Sequence, residues 1–258
     1  MPAPPAAESD NRAFWEAYFS NFIEGTEFTV EEARSIIYSN AGASGLTHNR
    51  PEDAHDVRET HRLIIDKILG PAIPADATEL LDLLKRRHAR MMAARPATNP
   101  GVFKTRNNQV GPRVFVAPGL VEETLSRGWQ LSRSLPSPTG RAFFILFLLA
   151  EVHPFNDGNG RISRLGMNAE LDAASQARLI IPTAFREDYI SALRALTLQG
   201  SLEPFIRFSH KLVELNSRMP FRSFDGSHDY FRHSKALIEN DASLNLDSLA
   251  LRLSTTTG

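Results

Sequence analysis

The stretch from His153 to Arg164, His-Pro-Phe-Asn-Asp-Gly-Asn-Gly-Arg-Ile-Ser-Arg, gathers a titratable imidazole, a carboxylate, two glycines and two arginines between two apolar helical segments. Gly158, Asn159 and Gly160 can turn the chain tightly and aim successive backbone N–H groups at one point, which makes an anion nest where the next helix starts. Arg161 and Arg164 stand three apart on that helix, so the spacing predicts that both guanidinium groups project toward the same anion. Two arginines at the positive end of a helix are locally unfavourable, which points to a bound polyanion or an acidic partner. Asp157 is the one carboxylate beside the nest; facing phosphates, it needs a cation between them, and Mg²⁺ is the expected one. His153 ends the preceding helix and titrates near neutrality, so it can take the proton of an incoming hydroxyl. Base, cation and fixed positive charge together suit phosphoryl-type transfer. Any one of these residues has an ordinary reading as a cap, a turn or a surface charge. The whole pattern would arise by chance in fewer than about one in a million chains of this size.

Helices must position this loop, because helical periodicity dominates the chain. Phe14, Tyr18 and Phe22 run beside Trp15, Phe19 and Ile23 in two i, i+4 rows, predicting a first helix over 11–24 that Gly25 ends. Thr29 with Glu32 forms a capping box for a helix through about Ser39. Further helices are expected over 53–69, closed by Gly70-Pro71, and over 77–94, with Asp76 as N-cap and Glu79 at the box position. The Lys85-Arg86-Arg87-His88 run on the latter reads as a solvated face. Val102-Phe103-Lys104 and Arg113-Val114-Phe115-Val116 have strand character around Asn107-Asn108 and Gly111-Pro112, predicting one small hairpin. Helices resume over 119–133, then Thr139 caps an apolar helix ending before His153, and others follow over 161–174, 186–198 and 202–216. The fold class is therefore all-α with a small β-hairpin. Met1 to Asp10 reads as a flexible lead-in, and the tail after Pro220 as one or two weak helices.

Composition narrows the function classes. A formal net charge of −1, from 29 basic and 30 acidic residues, gives no global field for nucleic acid or an anionic membrane. With no cysteine, disulfides, thiolate zinc and a cysteine nucleophile are excluded, and the chain suits a reducing cytoplasm. The longest apolar run, Ala142 to Ala150, is about half of the roughly 20 residues a membrane span needs.

The motif resembles that of the Fic family, His-x-Phe-x-Asp/Glu-Gly-Asn-Gly-Arg-x-x-Arg, with every fixed position filled and the similarity running from about Pro100 to Lys211. The resemblance implies a core over 99–216 with the hairpin of 102–116 as a flap beside the active site, a helical region over 11–98 before it and a tail over 217–258. It implies protein adenylyl transfer: AMP passes from ATP to a Ser, Thr or Tyr hydroxyl of a target protein docked on the flap as an added strand. By that likeness His153 is the general base, Phe155 anchors the loop, Asp157 holds Mg²⁺ between the α- and β-phosphates, and Gly158 to Gly160 bind phosphate through the backbone. Asn159 adds a side-chain contact, Arg161 grips the β-phosphate and Arg164 the γ-phosphate. Where many members have a Tyr-Tyr pair and then an Asn around adenine, this chain has Tyr189-Ile190 and Thr197, so Tyr189 is the adenine candidate beside an equal reading as a core residue.

Ser20-Asn-Phe-Ile-Glu24-Gly25 is similar to the inhibitory Ser/Thr-x-x-x-Glu-Gly/Asn motif of some Fic proteins. Glu24 ends a helix, where the dipole disfavours an acid, and Arg164 is the cation that would relieve it. So paired, Glu24 would fill the γ-phosphate space. Alternatives on the same residues are hydrolytic removal of AMP, transfer of another phosphate-containing group, or a non-catalytic nucleotide- or peptide-binding module. Association of this chain with its own copies is left open.

Overall fold

The computed structural model describes residues 1–39, 49–66, 69, 73–111 and 113–237. Its helices are α1 (Ala6–Phe22), α2 (Val30–Tyr38), α3 (Pro51–Ile65), α4 (Ala77–Met91), α5 (Val121–Arg133), α6 (Pro138–Val152), α7 (Asn159–Ala173), α8 (Arg186–Gln199), α9 (Glu203–Arg218) and α10 (Phe224–His233). Among the described residues the only sheet is an antiparallel hairpin of β1 (Gln109–Val110) and β2 (Arg113–Val114), with Val110 opposite Arg113.

The apolar helix α6 packs along α7 at the centre, and this pair separates two hydrophobic cores. Ala142, Phe143 and Leu146 face one core together with Met167 and Leu171; Ile145, Leu148, Leu149 and Val152 face the other with Ile162 and Leu165. A helix covered on both sides has no reason to carry a polar stripe, which explains the unbroken apolar run. Gly166 lets the two helices approach: a side chain there would begin 2.7 Å from Leu149 Cδ1. The first core holds α1, whose Trp15 and Phe19 meet Phe231 of α10 at centroid distances of 4.7 and 5.0 Å.

Helix starts follow the expected chemistry in most places. Thr29 and Glu32 make both bonds of the capping box of α2, and Asp76 accepts from Glu79 N at the start of α4. Gly25, at φ 87°, turns the chain after α1. Four expectations are corrected. Ser137, not Thr139, caps α6, because Pro138 takes the first helical position and leaves the Ser137 hydroxyl facing Gly140 N. Residues 102–104 are not a strand; Lys104 N instead bonds Pro154 O at 2.9 Å, so the paired residues lie closer to the turn. Only part of the basic run on α4 is solvated, since Arg87 and His88 turn inward. Residues 1–10 are not a free lead-in: α1 begins at Ala6, and Met1 to Ala3 pair with Ser175 to Ala177. The closing Gly70-Pro71 lies outside the described residues, as does the tail from 238; before it, α10 is part of the core.

Candidate active site

His153 ends α6 in the left-handed region, φ 51° and ψ 58°, a strained conformation for a residue with a Cβ. That backbone swings the side chain off the helix and against the hairpin segment, where the imidazole lies flat on Phe115 with centroids 3.8 Å apart. Nδ1 stands 3.4 Å from Ala150 O. A carbonyl only accepts, so Nδ1 carries the proton and Nε2 keeps its lone pair. Burial pushes the imidazole down to about 4, with the charges of Lys104 and Arg113 adding to the fall and the Ala150 bond and Glu24 opposing it. It is thus a neutral base at physiological pH.

The loop from 154 to 158 is braced from beneath. Phe155 is fully buried and stacks face to face on His88 of α4, centroids 3.8 Å apart and planes 3° from parallel. Gly101 N donates to His88 Nδ1 at 2.8 Å, so His88 Nε2 carries the hydrogen and donates to Asp157 O at 3.0 Å. Asn159 spends its side chain on the same loop: Oδ1 accepts from Phe155 N at 2.9 Å and Nδ2 donates to Phe155 O at 2.8 Å. Both ends of the Asn159 amide thus brace the loop, so its expected side-chain contact to phosphate has to share these bonds. Gly158 adopts φ 73°, and its N–H donates to Asp157 Oδ1 at 2.6 Å. Beyond it the first turn of α7, Asn159 to Arg161, offers backbone N–H groups without intrahelical acceptors.

The two arginines part company. Arg164 Nε donates to Ser20 Oγ at 2.9 Å, and Nη2 donates to Ser20 O at 2.8 Å and to Glu24 Oε1 at 2.7 Å. Arg161 turns the other way, into a buried site where Nη1 donates to Asp56 at 2.6 Å and to Asn21 Oδ1 at 3.3 Å. The shared aim predicted from their spacing is thus not realised, because Asp56 of α3 supplies a buried counter-charge that binds Arg161 and not Arg164. The expected acidic partners exist all the same, one for each arginine.

Glu24 lies over the helix start. A side chain on Gly160 would begin 2.1 Å from Glu24 Oε1, so the carboxylate sits against the bare glycine. Glu24, Gly160, Arg164, His153, Phe115 and Tyr189 line one cavity of about 560 Å³ with further residues of α8 and the hairpin. Tyr189 is 4% exposed, its hydroxyl turned toward Ser163 and Arg164 and its ring 5.7 Å from Phe208. It forms a wall of the cavity and belongs to the core at once. Thr197, at the position where an Asn would read the base, donates to Glu151 Oε2 at 2.5 Å and accepts from Arg113 Nη2 at 3.2 Å. Asp157 is exposed and outside this set of lining residues.

Asp56, His88, Lys104, Asn108 and Phe115 were not singled out by the sequence. A signal existed for Asp56, an acid on the stripe it shares with Thr60 and Leu63 of α3; for the others only distant contacts reveal the role.

Residues 51–171 match the Fic/DOC family. The similarity begins well before Pro100, and the added part contains α3 and α4, which bring Asp56 and His88 to the motif. The chain is 30% identical over 206 residues to the protein adenylyltransferase Fic of Drosophila erecta, covering 76% of this chain and 40% of that protein. It is 27% identical over 212 residues to that of Nematostella vectensis, covering 79% and 48%. It thus spans less than half the length of these curated relatives. Among solved structures, Fic-1 (aa134–508) from C. elegans superposes with a TM-score of 0.64 at 25% identity, covering 84% of this chain and 63% of that one. A Fic family protein from Desulfovibrio desulfuricans G20 gives 0.65 at 18%, covering 97% and 76%. With the complete motif on the loop between its two central helices and these relatives around it, residues 51–171 of this chain form a Fic/DOC family domain.

Proposed function

We propose that the chain is a protein adenylyltransferase held in check by Glu24, moving AMP from ATP to a hydroxyl side chain of a target protein. The observation that carries this reading is the place of the Glu24 carboxylate: bound to Arg164 and lying on Gly160, it sits as an anion at the helix start, in the same cavity as a neutral imidazole. An anion already fills the position that a phosphate would need. The Glu24 side chain is 30% exposed, and Arg164 Nη1 has no hydrogen-bond partner among the described residues, so the carboxylate can leave toward solvent and an incoming phosphate would find a donor waiting.

In the forward reaction His153 Nε2 takes the proton of the target hydroxyl as its oxygen attacks the α-phosphorus. The bond from phosphorus to the bridging oxygen breaks, and pyrophosphate leaves with that electron pair. Amides of the first turn of α7 and Arg164 hold the phosphates against the charge that develops. Arg161, engaged by Asp56, contributes by fixing the helix start. Among the described residues no three His, Cys, Asp or Glu side chains group closely enough to cage a metal, which suits a cation shared with phosphate oxygens and water. Asp157, exposed beside the nest, is the carboxylate that would hold Mg²⁺, which supplies neutralisation of the triphosphate. The exposed Val110 and Val114 of the hairpin offer an edge for the target segment. Among the described residues no helix is long and apolar enough to cross a membrane; the cytoplasm is proposed only from the cysteine-free composition.

The test is incorporation of label from α-labelled ATP into lysate proteins and into the chain itself. Glu24→Gly should raise it by about tenfold or more, and adding His153→Ala should abolish it. Equal labelling by the single and double variants would remove His153 as the base. Label from CDP-choline in place of ATP would replace the substrate.

A further inference from the structure

Lys104 is 3% exposed and makes no salt bridge among the described residues, although a buried ammonium without a counter-ion is costly. Its Nζ donates to Asn108 Oδ1 at 2.7 Å and to Val152 O at 3.1 Å. Val152 ends α6, so the cation caps the negative end of the helix that carries His153. Asn108 passes the hold onward: its Nδ2 donates to His153 O at 3.2 Å and to Phe155 O at 2.9 Å. The Lys104 backbone N–H takes Pro154 O at 2.9 Å. From Val152 to Phe155, then, each carbonyl oxygen is bound by one of two residues at the foot of the hairpin. Asn108 O in turn accepts from Phe115 N at 3.2 Å, and the Phe115 ring is the surface on which the imidazole lies.

A histidine in the left-handed region keeps that backbone only when its surroundings over-determine it. Those surroundings are the Lys104–Asn108 pair, and burial that lowers the ammonium to about 8 is the cost the fold carries for it. We propose that Lys104, acting through Asn108, is the positioning residue that holds His153 in its reactive orientation, and that the hairpin thereby joins target docking to alignment of the base. This deepens the proposed function and rests on it for its kinetic readout and for the docking of the target on the hairpin.

The experiment uses the full chain carrying Glu24→Gly, with Lys104→Met, Lys104→Arg and Asn108→Ala added singly. Steady-state labelling should show kcat lower by about a hundredfold in Lys104→Met, the scale of a misplaced catalytic group, with KM for ATP within about twofold. Asn108→Ala should fall in the same sense, and Lys104→Arg should recover most of the loss. The second readout needs no turnover: the ¹⁵N imidazole signals of His153, assigned by their loss in His153→Ala. In the parent they should keep one tautomer through neutral pH. In Lys104→Met and Asn108→Ala they should titrate nearer 6.5 as the ring gains solvent, with Arg113 and Glu24 facing it in both variants and Lys104 as well in Asn108→Ala. Unchanged imidazole signals in both variants, with only a lower thermal midpoint, would overturn the proposal. Should Lys104→Met not fold, Asn108→Ala decides alone. Absence of labelling by the Glu24→Gly parent would count against the proposed function, while the imidazole signals would still judge Lys104.

Discussion

Asp56, itself without exposed surface, accepts Arg161 Nη1 at 2.6 Å and Arg95 Nε at 2.8 Å through the same carboxylate oxygen. The first arginine of the motif is thereby a girder between α3 and α7, and the second is the one that meets the cavity. Asp56→Ala should destabilise the chain by about 3–5 kcal/mol, because it strands the buried Arg161 guanidinium, whereas Arg95 keeps Asp53 and Glu52. Urea denaturation checks this; a loss under about 1 kcal/mol would mean that Arg161 finds another partner.

Stability should depend on acid in a definite window. Burial holds His88 and His153 near 4 in the folded chain, whereas the unfolded chain binds these protons from about 6.5 downward. Between those values the unfolded state takes up more protons, so stability is complete above 6.5, falls as the pH drops, and stops falling on this account near 4. Thermal midpoints measured from pH 7 to 4 test this, and a flat profile would contradict the neutral, buried imidazoles.

The hairpin edge predicts a separation of target modification from nucleotide handling. Val110 and Val114 are 57% and 56% exposed, so replacing both by Glu should leave the thermal midpoint nearly unchanged. In the Glu24→Gly background it should lower labelling of added protein targets on the order of tenfold, a loss of about 1.4 kcal/mol of docking. Loss of nucleotide affinity instead would place the defect in the cavity.

At Gly158 the backbone, at φ 73°, and the space agree: a Cβ would meet Met91 Cε and Met92 Sδ at 3.0 Å. Gly158→Ala should therefore cost about 1–2 kcal/mol from the left-handed backbone. It should also shift the amides of the first turn of α7. Calorimetry and nucleotide titration in the Glu24→Gly background read the two effects separately.

Much of this protein was legible along the chain because local rules act locally. The twelve-residue pattern from His153 to Arg164 needs only its own spacing to define a loop, a glycine turn and a helix start. The double aromatic row fixed a buried α1, Thr29 with Glu32 fixed the start of α2, and an acid at the end of α1 called for the cation it meets in Arg164. The periodicity that predicts two arginines on one face says nothing about what stands opposite each. Asp56, from more than a hundred residues away, decides where Arg161 points. His88 looked like part of a solvated basic run, yet it is stacked on Phe155 and tied to Asp157 by contacts the pattern of its own helix does not record. The motif's spacing offers Asn159 to a ligand but does not show the unsatisfied backbone of its own loop, which takes both ends of the amide. Sequence thus determined which groups are present and in what order; the tertiary structure decided which of them are spent on holding the loop, because buried polar groups must first be satisfied by whatever the packing brings near.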